Sequence, residues 1–307
     1  MRQYEIAAFA QAWEMLCSCP GSPFDAKFCC METSGFPLDQ YLERIGLGRP
    51  PHPDEDGLKD LHSAQAFSIP FENFDIHLGR TISLEPGDLV AKMIHRRRGG
   101  YCFELNGLLG LALKALGFKM RPLTARVHYG RTDPGARTHE VLIVTISGRE
   151  WLADCGFGGP GLRLPMPAVP DRVEEHFGAR YRLRRDPRYG AVLQKESAGD
   201  FVDLYSFNVH EMTLDIDLEM ANHFTSTWPS SIFRLSRMCA LPKPWGRVTL
   251  SDMELAIHNA EGVVRRILPP GPAYLEAVTE HFGLRLDARY EDLAPLKAIS
   301  QDREPEL

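Results

Sequence analysis

The spacing of hydrophobic residues changes twice along this chain, and these changes constrain its fold more than any other feature. From about Asp39 to Leu116, apolar residues recur every three or four positions, which is typical of amphipathic helices. From about Lys119 to Phe207, short alternating runs are separated by Gly, Pro and Asp, which is typical of strands. The remainder of the chain mixes both patterns. We therefore expect an α+β protein.

The predicted elements follow these patterns in order. The helices of the first part are expected at residues 38–46, 58–69, 89–95 and 102–117. Strand-like runs follow at residues 121–130, 138–146, 149–158, 180–186, 191–197 and 201–207. Because no helical pattern separates these runs, they predict an antiparallel sheet or small barrel. The last part contains helices at about 217–224 and 273–284, and strands at 246–252 and 254–260.

These patterns predict three domains after an amino-terminal extension. We expect a helical domain at residues 31–118, a β-barrel domain at 119–215 and an α/β lid at 216–307. Residues 1–30 are expected to be a weakly ordered extension that lies upstream of a natural start at Met31. Four of the seven cysteines lie in this extension, at positions 17, 19, 29 and 30. Their spacing differs from that of zinc fingers and no histidine is near, so we expect no metal site.

Charge and hydropathy exclude several classes of protein. The net charge of −6 disfavours general binding to nucleic acid or to an anionic membrane surface. No apolar run approaches the roughly 20 residues that cross a bilayer. The opening residues carry Glu5 and Glu14 around their apolar stretch and fit a secretory signal poorly. We therefore expect a soluble, cytoplasmic protein.

The sequence RRRGGYCFELN, residues 96–106, contains the first candidate for chemistry. Gly99 and Gly100 permit a tight turn directly before a helix, which places Cys102 at the helix N-terminus. Free backbone N–H groups and the helix dipole stabilise a thiolate there, and the thiolate is the nucleophilic form of cysteine. A buried structural cysteine is the alternative, because free cysteines are often buried.

A nucleophilic thiolate needs a base and a group that orients the base. His139 and Asp154 lie on two strand-like runs joined by a turn around Ser147 and Gly148. If that turn has two residues, His139 and Asp154 face the same side of the sheet and lie within side-chain reach. A three-residue turn would place them on opposite faces. The remaining histidines show no metal-binding spacing such as H-x-x-x-H or H-E-x-x-H.

Two neighbouring motifs are less specific. The run GFGGPG after Asp154 lacks the features of a dinucleotide or phosphate loop, so we interpret it as a turn that allows close approach. Cys155 within it is expected to be structural. One arginine of the triple run before Gly99 is expected to hold the nucleophile loop through a carboxylate.

The chain resembles the arylamine N-acetyltransferase family. The resemblance covers about residues 36–285 and includes PFEN, RGGYCFELN, RTHEVLIV, WLADCGFG and NHFTSTWPSSIF. It implies the three-domain fold described above, with a triad arranged as in cysteine proteases and transglutaminases. The implied triad is Cys102, His139 and Asp154.

The resemblance also implies roles for other positions and a mechanism. Glu72 and Arg98 would form a structural ion pair, Phe71 a wall of the acceptor pocket, and Thr138 and Phe233 contacts to coenzyme A. The implied reaction is ping-pong transfer of an acetyl group from acetyl-CoA, through acetyl-Cys102, to aromatic amines or hydrazines. No metal is implied, and no nucleic-acid or membrane partner is expected.

Three alternatives remain open from the sequence. A transglutaminase or cysteine hydrolase has a similar triad but takes its acyl group from a peptide or glutamine. An amide synthase of a natural-product pathway would differ only in the shape of its pocket. An inactive binding protein that keeps the fold is the third alternative, against which the intact triad argues.

Overall fold

The computed structural model describes residues 35–294. The predicted extension at residues 1–30, with its four cysteines, lies outside the described residues. A compact unit begins at Phe36. Within the described residues, no helix combines the length and apolar character needed to cross a bilayer.

Helices contain most of the residues between 35 and 116. The described helical elements are α1 Leu38–Ile45, α2 Glu55–Ser68, α3 Phe74–His77, α4 Pro86–Leu89, a π-helical turn Val90–His95, α5 Cys102–Ala115, α6 Asp215–Thr227, α7 Ile232–Leu235, α8 Pro272–Phe282 and a 3-10 turn Tyr290–Asp292. Helix α2 begins three residues earlier than predicted, because the Asp54 side chain accepts a hydrogen bond of 2.8 Å from the Gly57 N–H and caps it.

Two sheets contain all the described strands. Their bounds are β1 Phe71–Glu72, β2 Lys119–Val127, β3 Arg137–Ile146, β4 Arg149–Ala153, β5 Met166–Pro167, β6 Val173–His176, β7 Ala179–Asp186, β8 Gly190–Ser197, β9 Asp200–Phe207, β10 Met238–Lys243, β11 Gly246–Ser251, β12 Glu254–Asn259 and β13 Gly262–Ile267. The strand predicted at 149–158 was too long, because it ends at Ala153 before the glycine-rich segment. The sequence patterns also missed the short strands β1, β5 and β6 as well as β10 and β13.

Eight antiparallel strands form a nearly closed barrel in the order β5-β4-β3-β2-β9-β8-β7-β6. Strand β3 shows how the barrel joins the helices. Val141 and Ile143 belong to the apolar cluster inside the barrel, whereas Leu142 and Val144 pack in the cluster around α5. This alternation buries both faces of β3 and fixes its register. The predicted α+β class with an antiparallel barrel is confirmed.

The second sheet has the order β1-β10-β11-β12-β13 and is covered by α8. Val248 and Leu250 of β11 share an apolar cluster with Tyr274 and Val278 of α8. Strand β1 precedes the barrel in sequence yet pairs with β10, so this sheet takes its first strand from the helical part of the chain. The domain boundaries at residues 118 and 215 stay a prediction.

Candidate active site

Helix α5 places Cys102 in its first turn. Tyr101 is the N-cap residue, and its backbone is extended rather than helical. The helix is held in place by burial on nearly every side, with Phe103, Leu108 and Leu109 fully enclosed. The Cys102 side chain is buried as well, with 3 % of the residue exposed. The free N–H groups at this helix end favour negative charge on the sulfur.

The loop before α5 depends on close backbone packing. A Cβ atom on Gly99 would lie 2.1 Å from the Pro70 carbonyl oxygen, so only glycine fits there. The Glu72 N–H donates to the Gly100 carbonyl at 2.9 Å. At the helix end, the Glu104 carboxylate accepts a hydrogen bond of 3.0 Å from the Tyr101 N–H.

A buried network of five charged residues supports this loop. Arg98 Nη2 lies 2.7 Å from Glu72 Oε1 and 3.2 Å from Asp75 Oδ1. Lys92 Nζ lies 2.7 Å from both Asp75 Oδ2 and Glu104 Oε1. Burial opposes ionisation of Asp75, but the charges of Lys92 and Arg98 outweigh it and lower its pKa to about 2.

The implied contact between Glu72 and Arg98 is thus present, and it is one part of a larger network. Sequence reasoning missed Lys92, Asp75 and Glu104. Only Glu104 carried a signal, because it stands three residues after the N-cap, where a carboxylate can accept the N-cap N–H.

Strands β3 and β4 place His139 and Asp154 together. Their turn has two residues, because Ile146 pairs with Arg149. His139 Nε2 and Asp154 Oδ2 lie 2.9 Å apart, with both side chains buried. The same-face geometry that the two-residue turn predicts is therefore observed. Because Nε2 of His139 contacts Asp154, Nδ1 is the ring nitrogen that remains for a contact with another group.

A β-bulge places Thr138, the residue before His139, against Cys102. Ala125 pairs with His139 and Arg126 with Arg137, so Thr138 is the extra residue between two ladder positions. The Thr138 carbonyl oxygen lies 3.6 Å from Cys102 Sγ and accepts its hydrogen bond. The sulfur is therefore in contact with the residue that precedes His139. Nothing in the sequence pattern predicts the bulge.

Asn106 connects the helix to both strands. Its Nδ2 donates to Asp154 Oδ1 at 2.9 Å and to the Glu140 carbonyl at 2.6 Å. Its Oδ1 accepts from the Cys155 N–H at 2.9 Å. Asn106 lies one helical turn after Cys102, so its position on the face of α5 that bears the cysteine was the signal that could have found it.

Asp154 is held as an anion. Burial alone would raise its pKa, but His139, Asn106 and the Gly156 N–H outweigh burial, so the pKa of Asp154 is lowered. His62 fixes the backbone at this point, because its Nε2 accepts a hydrogen bond of 3.1 Å from the Asp154 N–H. Burial lowers the pKa of His62 to about 4, which keeps its ring neutral and able to accept.

The loop after Asp154 passes very close to α5. A Cβ atom on Gly156 would lie 2.8 Å from the Cα and carbonyl oxygen of Cys102 and from Asn106 Nδ2. The glycine-rich run therefore permits close backbone approach, as its sequence suggested. Cys155 contacts the carbonyl of His62 through its sulfur at 3.5 Å, which agrees with a structural role.

Ionisation of Cys102 depends on its neighbours. Burial raises the pKa of the Cys102 thiol well above its usual range, and the nearby Glu140 carboxyl acts in the same direction. Burial also raises the pKa of Glu140 well above its usual range, which favours the uncharged acid there. A thiolate at neutral pH consequently requires that its proton move to a base within the site.

A narrow crevice with room for about one water molecule lies beside Asp154. It is lined by Ala66, Ile69, Phe71, Asp154, Cys155, Phe157, Gly158, Gly161, Leu162, Ala240 and Pro242. The rings of Phe71 and Phe233 are 6.0 Å apart, and Phe233 also packs edge-on against Tyr101 at 5.6 Å. The Thr138 hydroxyl donates weakly to the Ala136 carbonyl at 3.5 Å. Phe71 and Phe157 therefore give the crevice aromatic walls.

Between residues 35 and 294, no group of three His, Cys, Asp or Glu side chains has the geometry of a metal site.

Comparisons with known proteins agree in pointing to one family. The profile of a family described as N-acetyltransferase matches residues 54–290. The chain is 36% identical over 255 residues to an arylamine N-acetyltransferase of Mycolicibacterium smegmatis, covering 81% of this chain and 92% of the relative. It is 34% identical over 252 residues to an arylamine N-acetyltransferase / N-hydroxyarylamine O-acetyltransferase of Salmonella typhimurium, covering 80% and 88%.

Solved structures agree with these relatives. The structure of Mycobacterium marinum arylamine N-acetyltransferase in complex with CoA aligns with a TM-score of 0.75 at 35% identity. The alignment covers 80% of this chain and 92% of that one. The similarity in sequence and the similarity in fold therefore cover the same large part of the molecule.

Proposed function

Because the chain belongs to the arylamine N-acetyltransferase family, we propose that it transfers the acetyl group of acetyl-CoA to aromatic amines and hydrazines through an acetyl-Cys102 intermediate. The observation that carries this proposal is the 2.9 Å contact between His139 and Asp154, together with the contact of the Cys102 sulfur with the carbonyl of Thr138, the residue before His139. In this proposal Cys102 is the nucleophile, His139 the base and Asp154 the group that orients the base.

The first half-reaction forms the acetyl-enzyme. His139 takes the proton of the Cys102 thiol, and the resulting thiolate attacks the carbonyl carbon of the acetyl thioester. The bond to the sulfur of coenzyme A then breaks, and that leaving sulfur receives the proton from His139. Asp154 remains ionised throughout and stabilises the positive charge on the imidazole.

The second half-reaction returns the enzyme to its starting state. The nitrogen of the acceptor attacks the acetyl carbon, and its proton moves to His139. The bond between the acetyl carbon and Sγ breaks, and Cys102 leaves as a thiolate that takes the proton back from His139 and restores the thiol. Burial of the sulfur and of His139 excludes water, which favours transfer to the amine over hydrolysis.

The remaining assigned residues surround these reacting groups. We assign Phe71 to the wall of the acceptor pocket because its ring lines the crevice. Thr138 and Phe233 are assigned to coenzyme A: Thr138 lies beside the sulfur, and Phe233 is half-buried against Phe71 and Tyr101. Glu72 and Arg98 are assigned a structural role through their ion pair.

The order of the reaction can be tested by measuring initial rates while the concentrations of both substrates are varied. The ping-pong scheme predicts parallel lines in double-reciprocal plots of acetyl-CoA at several fixed concentrations of an aromatic amine. Intersecting lines would indicate a ternary complex and contradict the acetyl-enzyme. A transglutaminase or cysteine hydrolase would instead use a glutamine or peptide donor and would release no coenzyme A from acetyl-CoA.

A further inference from the structure

The short helix α7, Ile232–Leu235, carries the Phe233 ring, yet burial does not hold this helix in place. None of its four residues is fully buried. A helix of a single turn also has too few hydrogen bonds to be stable by itself. The position of α7 therefore depends on contacts with other parts of the chain.

Polar side chains contact both ends of α7. At its start, Ser231 Oγ accepts a hydrogen bond of 3.3 Å from the Phe233 N–H. At its end, Asn73 Nδ2 donates to the Phe233 carbonyl at 2.9 Å and to the Ser236 carbonyl at 2.8 Å. The last carbonyl groups of a helix have no partner within the helix, so a donor from outside satisfies them. Asn73 supplies that donor for α7.

The amide of Asn73 is itself held firmly. Asn73 is 2 % exposed, and its Oδ1 accepts a hydrogen bond of 2.7 Å from the Met238 N–H at the start of β10. The Asn73 N–H donates to the Met238 carbonyl at 3.3 Å. Two carbonyls on one side of the amide and an N–H on the other fix which atom is the nitrogen. The side chain therefore has one orientation that satisfies all of its partners.

The Asn73 side chain does not cap its own helix. Asn73 is the N-cap residue of α3, a position where asparagine usually accepts a hydrogen bond from the following turn. Among the described residues, its side chain forms no such bond. Glu72 Oε2 instead accepts a hydrogen bond of 2.8 Å from the Phe74 N–H. The Asn73 amide is thereby available for α7, which lies 160 residues later in the chain.

One short segment thus contacts Phe233 in two ways. The Phe71 ring lies 6.0 Å from the Phe233 ring, and Asn73 bonds the Phe233 carbonyl. On its other side, the Phe233 ring packs edge-on against Tyr101 at 5.6 Å, directly before the proposed nucleophile. Because the ring moves with its backbone, releasing the Phe233 carbonyl would shift the ring relative to Cys102.

We propose that Asn73 is a positioning residue for the donor substrate, and that by holding α7 it keeps the Phe233 ring where an acyl-CoA binds. This inference rests on the proposed function and adds a residue to it. Asn73 acts through Phe233 rather than on the reacting atoms. It should therefore affect the half-reaction with acetyl-CoA far more than the half-reaction with the amine.

Steady-state kinetics of Asn73→Ala test this difference. In a ping-pong scheme, kcat/KM for each substrate reports on its own half-reaction. We expect kcat/KM for acetyl-CoA to fall about tenfold, as for loss of one well-placed aromatic contact. For an aromatic amine, kcat/KM should change less than about twofold.

The matched control is Asn259→Ala, which removes two hydrogen bonds of an asparagine side chain in the turn between β12 and β13. It should change neither value. Equal losses of both values in Asn73→Ala would show a general structural role and contradict the inference. No loss in either value would contradict it as well.

A double-mutant cycle tests whether Asn73 acts through Phe233. Phe233→Leu should lower kcat/KM for acetyl-CoA, and adding Asn73→Ala should then cause less than about twofold further loss. Losses that multiply would show independent effects and overturn the inference. If Asn73→Ala fails to fold, Ser231→Ala removes the hydrogen bond at the other end of α7 and should give the same selective loss. Unchanged kinetics in that variant would then refute the inference.

A binding measurement separates this inference from the proposed function. Calorimetric titration of the Cys102→Ala protein with coenzyme A should show binding that weakens about tenfold when Asn73→Ala is added. If the wild-type protein formed no acetyl-enzyme while this difference persisted, the proposed function would fail and the role of Asn73 would stand. If the wild-type protein were acetylated while both variants bound coenzyme A equally, the role of Asn73 would be refuted and the proposed function would stand.

Discussion

At the level of single residues, Asn106 joins three parts of the proposed site, because it contacts the side chain of Asp154, the carbonyl of Glu140 and the backbone of Cys155. His62 adds a fourth contact, to the Asp154 N–H. Neither side chain is part of the proposed triad. Both hold the groups that orient His139. For Asn106 we predict an effect on catalysis, and for His62 an effect on stability in acid.

Replacing Asn106 should impair catalysis more than it impairs folding. Asn106→Ala removes one donor from Asp154 Oδ1 and the side-chain donor from the Glu140 carbonyl, which costs about 1–3 kcal/mol of stability. We expect kcat/KM for an aromatic amine to fall about 100-fold, because misplaced catalytic groups have effects of this size. The control is Asn208→Ala at an exposed turn. Activity close to wild type in Asn106→Ala would contradict the assigned positioning role.

His62 should make the protein less stable in acid. Its pKa is about 4 in the folded state and 6.5 when unperturbed, so only the unfolded state binds a proton between these values. The stability that the neutral His62 ring contributes is complete above pH 6.5. It is lost as the pH falls toward 4, which lowers the free energy of unfolding by about 3 kcal/mol. His62→Gln should remove this part of the loss. Urea unfolding at both pH values measures it, and an unchanged difference in His62→Gln would argue against the assignment.

At the level of elements, the proposed site depends on irregular backbone between regular strands and helices. The bulge at Thr138 turns a carbonyl toward Cys102, and the loop after β4 passes against α5 at Gly156. Both features lie where a strand meets the first turn of the nucleophile helix. Thr138 and Gly156 therefore set the distance between α5 and the neighbouring strands β3 and β4, and we expect these two positions to tolerate few substitutions.

The glycine-rich loop gives a matched pair of variants. Gly156→Ala places a Cβ atom 2.8 Å from backbone atoms of Cys102, which must shift. We expect a loss of about 1–3 kcal/mol in stability, together with a large loss of activity. In Gly159→Ala the nearest atom is 3.6 Å away, and we expect a change in stability below about 0.5 kcal/mol. Thermal unfolding compares the two, and equal stability would contradict the close packing.

Much of this arrangement follows from the sequence, and the exceptions have physical causes. Periodicity predicts α1, α5 and the long barrel strands, because each buries a regular face. It misses β1 and β5, because two-residue strands show no period. A two-residue turn between the two strands, together with the alternation of side chains along each strand, places His139 and Asp154 on the same face of the sheet. The contacts of His62 with Asp154 and of Lys92 with Asp75 join residues far apart in sequence, which no local pattern reports.

At the level of the whole molecule, strand β1 connects the helical part of the chain to the second sheet, and a buried charge network connects β1 to the start of α5. Strand β1 pairs with β10 of the second sheet through Phe71 and Glu72, and Glu72 is paired with Arg98 in the loop before α5. Lys92 then links Asp75 to Glu104 at the start of α5. A continuous chain of direct contacts therefore runs from the second sheet through the loop before α5 to α5 itself.

Breaking this network should destabilise the molecule strongly. Lys92→Met leaves two buried carboxylates without their shared cation, which costs about 3–5 kcal/mol. The control is Lys59→Met, which removes a pair with Asp56 near solvent and should cost less than about 1 kcal/mol. Chemical denaturation of both variants measures the difference. If both variants lost a similar, small amount of unfolding free energy, the buried network would contribute little to stability.

Acetylation of Cys102 is the central claim, and intact mass spectrometry with peptide mapping tests it most directly. After incubation with acetyl-CoA and no acceptor, we predict one added acetyl group per chain, located on Cys102. Addition of an aromatic amine should remove it and yield the N-acetylated amine. Cys102→Ala should remain unmodified. An unmodified wild-type protein of intact fold, or an acetyl group on another residue that the amine fails to discharge, would contradict the account.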